Sequence, residues 1–211
     1  MVAAFSWTTQ EDGTVVGGPP LPAVQITDEL LQWEPIATEN AIRTGVPLPW
    51  IMGTIYGESG GHQPTRPTFD GGIGVMMITS NALKQGLPDD QVFLPENNIR
   101  LGTDYLATLR GYRDDLPSVA SMYNSGGSPK GPHLADGFPW GLREYTIPST
   151  GARPYISKVV AMNNALIASG MPYHPIEGGV GTPTAWGGIF PIVFGAALGW
   201  GGLWLARRIF A

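Results

Sequence analysis

The chain has 211 residues, enough for one ordinary domain with chain to spare, and carries 12 basic against 17 acidic side chains for a net charge of −5. That balance removes the phosphate attraction on which most nucleic-acid binders depend, so no nucleic-acid partner is expected. With no Cys, a disulfide framework, a thiolate nucleophile and Cys-based metal sites are excluded, while the redox compartment stays open.

Gly (30) and Pro (20) are abundant and cluster at particular places. Residues 1–26, ending in Gly17-Gly18-Pro19-Pro20-Leu21-Pro22, show no helical period and read as a flexible N-terminal arm. No Lys or Arg precedes Arg43, so the segment lacks the basic start of a secretory signal, and export by that route is not expected. From Thr27, an N-cap followed by Asp28 and Glu29, apolar residues recur at helical spacing as far as Gly45, which predicts one helix. A second run, Trp50 to Glu58, stops at Ser59-Gly60-Gly61. Residues 62–75 read as a loop or short hairpin. Further helices are predicted at Ile78–Gln85, Pro95–Tyr112, Leu116–Tyr123 and Pro154–Ser169, with Gly170 closing the last. Alternating strand patterns are nearly absent, so the segment 27–170 is expected to be mainly α.

Residues 171–184 form a second Gly/Pro-rich stretch and read as a linker. No charged residue or His occurs from Gly178 to Ala206. Ala185–Ala206 would span roughly 33 Å as a helix, close to the thickness of a bilayer's hydrocarbon core. Trp186, Trp200 and Trp204 near its ends, and Arg207-Arg208 after it, suit the membrane interface, so a transmembrane helix is expected at 185–208, with a lipid bilayer as partner. A buried hairpin or core helix is the competing reading, because the segment is rich in Gly and contains Pro191.

In the second helical run, Ile51, Ile55 and Glu58 fall on one stripe. An acid on an apolar stripe has a raised pKa, as a general acid requires, unless it reaches water at a frayed helix end. Periodicity alone leaves these readings level. The order of blocks separates them: Tyr56-Gly57-Glu58-Ser59-Gly60-Gly61, Gly71-Gly72-Ile73-Gly74-Val75-Met76-Met77-Ile78, Pro95-Glu96-Asn97-Asn98 through Tyr105-Leu106, Met122-Tyr123-Asn124-Ser125-Gly126, and Arg153-Pro154-Tyr155-Ile156-Ser157-Lys158-Val159-Val160. Taken together, residues 28–170 resemble the catalytic domain of the soluble lytic transglycosylases, a lysozyme-like family that cleaves peptidoglycan.

The resemblance implies a mainly α, lysozyme-like transglycosylase domain followed by the C-terminal transmembrane helix, acting on peptidoglycan glycan strands without cofactor or metal. Glu58 would be the single catalytic acid. Ser59 would orient that acid or a sugar N-acetyl group, or else satisfy the helix end. Gly74 and Met76 match the family's groove-lining Gly-Leu-Met-Gln-Ile stretch, Tyr123 and Asn124 its Ala-Tyr-Asn-Ala-Gly stretch bordering the cleft, and Tyr155 the Tyr whose hydroxyl lies near the acid. Two departures stand out. Met77 occupies the usual Gln position, and Gly151-Ala152 stand where Glu-Thr often precede the Arg.

The implied reaction protonates the glycosidic oxygen between N-acetylmuramic acid and N-acetylglucosamine and closes a 1,6-anhydromuramyl end, with no second acid. Asp70, before Gly71-Gly72, is read as a turn residue. Lysozyme-type hydrolysis using Asp70, and a catalytically weakened wall-binding membrane protein, are the alternatives. His62, His133 and His174 are widely spaced and lack a zinc-peptidase pattern, so no metal is expected. An anchored wall enzyme without an export signal needs delivery. A bacteriophage particle with an internal membrane, whose enzyme meets the wall as the genome enters, is the expected setting, with other membrane or virion proteins as neighbours. The bacterial inner membrane facing the periplasm, or a secretion channel, is the alternative.

Overall fold

The computed structural model describes residues 7–18, 20–125 and 155–174. They form a helical domain with one small hairpin. The hairpin comes first: β1 (Trp7–Thr9) pairs antiparallel with β2 (Val15–Gly17), Thr9 opposite Val15. Its turn is closed by Asp12, whose carboxylate accepts from Thr14 N–H at 2.8 Å, and by Gly13 at φ 86°. The expectation of an arm without regular structure over 1–26 is corrected here for residues 7–17. Val15 is 1% exposed. It is tied to the last helix by the Asn164 amide, which accepts from Val15 N–H at 2.9 Å and donates to Val15 C=O at 2.7 Å.

The single helix expected from Thr27 to Gly45 is two. Helix α1 (Asp28–Leu31) is capped by Thr27, whose hydroxyl accepts from Leu30 N–H at 3.2 Å, and α2 (Glu34–Thr44) begins afresh with Pro35 in its first turn. The Pro ring would meet the carbonyl of Leu31 in a continuous helix and supplies no N–H, so the chain breaks before it. Helix α2 ends at Gly45, φ 72°.

Helix α3 (Leu48–Ser59) starts after Pro47 and ends at Gly60, φ 70°. Leu48 through Ile55, and Gly57, are all buried, so this helix lies in the centre of the core, as an all-round apolar helix must. After it come one-turn helices α4 (Asn81–Lys84) and α5 (Asp89–Val92), then α6 (Pro95–Arg110), α7 (Leu116–Ser125) and α8 (Tyr155–Ala168). The helix expected over Ile78–Gln85 shrinks to α4, because Ile78 pairs with Ile73 and Ser80 is an extended N-cap at one end, while Gln85 turns left-handed at φ 53° at the other. Helix α5 has no counterpart among the expected helices.

Helix α8 packs along α3 through two glycines. A Cβ on Gly53 would sit 3.0 Å from the Val159 carbonyl, and one on Gly57 would sit 2.7 Å from the Val159 side chain and 2.9 Å from the Tyr155 ring. The backbones therefore approach closely, and Tyr155 is brought to the C-terminal end of α3. The first residues of the expected linker at 171–184 also belong to the domain. Tyr173 C=O accepts from Leu48 N–H at 3.1 Å, and its ring meets Trp50 edge-on at 6.4 Å. No helix among the described residues is long and apolar enough to cross a membrane. The span expected at 185–208 lies outside the described residues.

Candidate active site

Glu58 sits in the last turn of α3, just before the Gly60 stop. The geometry of that helix end decides its surroundings. Ser59 donates to Ile55 C=O at 3.1 Å and accepts from Gly61 N–H at 3.3 Å, so its hydroxyl closes the helix, the second of the two roles considered for it. Gly61 C=O in turn accepts from Trp33 Nε1 at 2.7 Å, and a Cβ on Gly61 would lie 2.8 Å from the α1 backbone. The turn after the acid is thus fixed from two sides.

Glu58 opens on a cleft of about 620 Å³, whose lining includes Asp70, Met77, Tyr105, Tyr123 and Asn124. Packing leaves the carboxyl poorly hydrated, and that desolvation raises its pKa from 4.5 to about 7. Three weaker influences act on it: the Tyr155 hydroxyl lowers the value by hydrogen bonding, the negative charge of Asp70 raises it, and the positive charge of Lys158 lowers it. The Tyr155 hydroxyl is buried, and Glu58 is the group it faces. Burial and the nearby Glu58 charge push the Tyr155 phenol well above its usual range, which keeps its proton in place.

The loop between α3 and α4 forms another wall, and it is built around Asn98 of α6. The Asn98 amide donates to Ile73 C=O at 2.8 Å and Val92 C=O at 3.1 Å, and accepts from Met76 N–H at 2.8 Å. Ile73 and Ile78 form an antiparallel bridge, which makes the loop a tight hairpin-like turn. At Gly74, φ 70°, a Cβ would meet the Asn98 side chain at 2.3 Å. Gly74 therefore shapes the groove through its backbone.

Met76 and Met77 divide differently from what the resemblance implied. Met76 is fully buried, against Gly102, where a Cβ would come within 2.4 Å of its sulfur. Its side chain belongs to the core, and its backbone carbonyl accepts from the Tyr123 hydroxyl at 2.9 Å. Met77, at φ 48°, turns the other way and lines the cleft. The left-handed residue is what sends neighbouring side chains to opposite sides.

Tyr123 of α7 is buried, with its ring tilted against Tyr105 of α6 at 5.2 Å, and lines the cleft together with exposed Asn124. Glu58, Tyr123 and Asn124 meet in one cleft, Tyr155 stands beside the acid, Gly74 and Met76 set the wall from behind, and Ser59 holds the helix end. The expected site residues do not include Asn98 or Tyr105, although Asn98 is on view in the sequence as a polar residue followed by the apolar Ile99 and Leu101 on a core-facing helix.

Asp70 lies in a turn locked by Thr68, whose hydroxyl donates to the Asp70 carboxylate at 2.5 Å and accepts from Gly72 N–H at 2.8 Å. The Thr68 hydroxyl bond holds the Asp70 pKa below its ordinary value, and this carboxyl lines the cleft that holds Glu58. Among the described residues no three or more His, Asp or Glu are grouped to hold a metal ion. His62 pairs with Glu29 and His174 meets the Tyr173 ring edge-on at 4.6 Å, while His133, Gly151, Ala152 and Arg153 lie outside the described residues.

No curated protein matches the chain. A family model does: residues 35–135, which contain Glu58, the Asn98-centred loop, Tyr123 and Asn124, match the family described as Transglycosylase SLT domain. Within its mainly helical fold the chain thus carries a stretch similar to an SLT-type, lysozyme-like transglycosylase domain.

Proposed function

We propose that this protein is a peptidoglycan lytic transglycosylase with Glu58 as its catalytic acid and base. The observation that carries the reading is a buried carboxyl at the wall of a cleft, with its pKa raised to about 7 by desolvation, inside a stretch that matches a transglycosylase family. Protonated Glu58 gives its proton to the glycosidic oxygen between N-acetylmuramic acid and N-acetylglucosamine, the C1–O bond breaks, and an oxocarbenium-like state forms at C1. The carboxylate left behind accepts the proton of the muramyl C6 hydroxyl as its oxygen bonds to C1. The 1,6-anhydro ring closes, Glu58 regains its proton, and no water is consumed. Tyr155 supports the ionised stage as a hydroxyl donor beside the carboxylate. Mass analysis of muropeptides released by the full chain tests this. Anhydromuramyl ends are expected, and they should vanish in Glu58→Gln.

A second reading is favoured by Asp70 alone. An ionised carboxylate lining the same cleft has the charge needed to activate a water at C1, which would make the enzyme a hydrolase of the lysozyme kind. Reducing muramyl ends in the same digest would establish it.

For the setting, we propose that residues 185–208 anchor the domain in a bilayer. The charge-free apolar stretch and its terminal Arg207-Arg208 support that reading. The bilayer proposed is the internal membrane of a phage particle. Recovery of the protein from purified lipid-containing virions would support it, and recovery only from inner membranes of uninfected cells would refute it.

A further inference from the structure

The cleft does not stop at the acid. It continues along one face of α6 and the turn beyond it, where Tyr105, Thr108, Leu109 and Tyr112 follow at i, i+3, i+4 and i+7, the spacing that places side chains in one row. Tyr105 to Tyr112 is about 10 Å along a helix axis, more than the width of one hexose ring. Across the cleft stand Ser80 and Leu83, at the cap and in the turn of α4.

The two ends of this row are built differently. Tyr105 is half-buried and packs on Tyr123, which ties it to the Glu58 end. Leu109 is 1% exposed and forms floor, whereas Tyr112 is 54% exposed. Tyr112 thus offers an open aromatic face at the end of a groove that it also lines. The lining chemistry narrows what it meets. Among the described residues no Lys or Arg lines the cleft, and its only charged groups are Glu58 and Asp70. Hydroxyls of Thr79, Ser80 and Thr108 supply polar edges. Aromatic faces, hydroxyls and an absence of cations suit a neutral polyhydroxylated chain, and work against an acidic polymer.

We propose that this face of α6 is the distal arm of a glycan-binding groove, with Tyr112 stacking on the apolar face of an N-acetylhexosamine unit remote from the bond that is cut. The assignment rests on the transglycosylase reading for the identity of the strand, and on α6 alone for where the strand runs.

The test uses full-length Glu58→Gln, which removes cleavage, and measures calorimetric binding of chito-oligosaccharides of increasing length. Affinity is expected to rise with length. Tyr112→Ala in the same background is expected to lose about tenfold for the longest oligomer and little for the shortest, and Tyr112→Phe is expected to restore the lost increment because the ring face remains. An unchanged length dependence in Tyr112→Ala overturns the proposal, as does a peptidoglycan-digesting parent whose Glu58→Gln form binds no oligosaccharide of any length, since the groove would then hold the stem peptide. Failure of the transglycosylase reading shows separately, in the muropeptides: a parent that releases none, together with a length dependence lost in Tyr112→Ala, keeps the groove and removes the reaction.

Discussion

Glu58 and Asp70 line one cleft, yet packing holds the first carboxyl protonated to about pH 7 while a Thr68 hydroxyl holds the second ionised. The same functional group is thus shifted in opposite directions, up by burial on one side and down by a donated hydrogen bond on the other. Because Glu58 must start protonated to act as an acid, kcat/KM is expected to fall by half near pH 7 and about tenfold for each further step of one in pH, an alkaline limb read directly from a pH profile. Asp70 raises the Glu58 value, and Tyr155 lowers it. Asp70→Asn should therefore move the limb to lower pH, and Tyr155→Phe should move it to higher pH. Opposite displacements from two substitutions are not produced by a general loss of structure.

Burial of the Glu58 carboxyl also couples the stability of the fold to pH. A carboxyl whose pKa is higher in the folded state than in the unfolded chain stabilises the fold fully below about 4.5 and loses that contribution as pH climbs to about 7. Glu58→Gln keeps the shape and cannot ionise. It is expected to gain on the parent across that window by up to about 3 kcal/mol, because each tenfold change in proton affinity is worth roughly 1.4 kcal/mol, while losing about a hundredfold to ten-thousandfold in rate. Urea unfolding at several pH values checks the first, and muropeptide release the second.

Placement of the acid is legible in the sequence because three things agree: a helical stripe, a glycine stop and a fixed order of neighbouring blocks. The wall opposite is less legible. Nothing in Met76-Met77 says which methionine faces inward: Met77 turns left-handed at φ 48°, in a loop whose Met76 N–H is held by the Asn98 amide of another helix. The hairpin at 7–17 is hidden for a similar reason. Its strands are three residues each, too short for a period, and what holds them is the amide of Asn164, far along the chain. Pro35 as a helix break is readable from its own chemistry, but the apolar spacing around it points the other way.

Asn98 is expected to be the costliest polar residue to lose near the site. Asn98→Leu keeps the bulk of the side chain but removes the amide that bonds Val92 C=O and Met76 N–H, and leaves Ile73 C=O with Ile78 N–H as its one remaining donor. Each unsatisfied group is expensive, and a loss of about 3 kcal/mol or more is expected in denaturant unfolding. Gly74→Ala reaches the same contact from the other side, through a left-handed backbone and a Cβ 2.3 Å from Asn98. It should lower activity as well as stability, because the strain falls on the turn that presents Met77 to the cleft.

The hairpin offers a prediction independent of catalysis. Asn164 acts as a short extra strand, donating to and accepting from Val15 in the way a neighbouring backbone would. Asn163 adds a bond to Gly13 C=O at 3.1 Å. Gly13 lies so close to Tyr173 that a Cβ would fall 2.2 Å from its ring, so the hairpin turn and the segment after α8 are seated against each other. Asn164→Ala removes the paired amide, and Gly13→Ala blocks the seat by a clash and by a side chain at φ 86°. Both are expected to free residues 7–17 for proteolysis and to speed hydrogen exchange at Val15, at a cost of about 2 kcal/mol, while leaving protection in α3 and α6 intact. If either variant exposed α3 to exchange as readily as the hairpin, the hairpin would be part of the cooperative core and not a unit docked upon it.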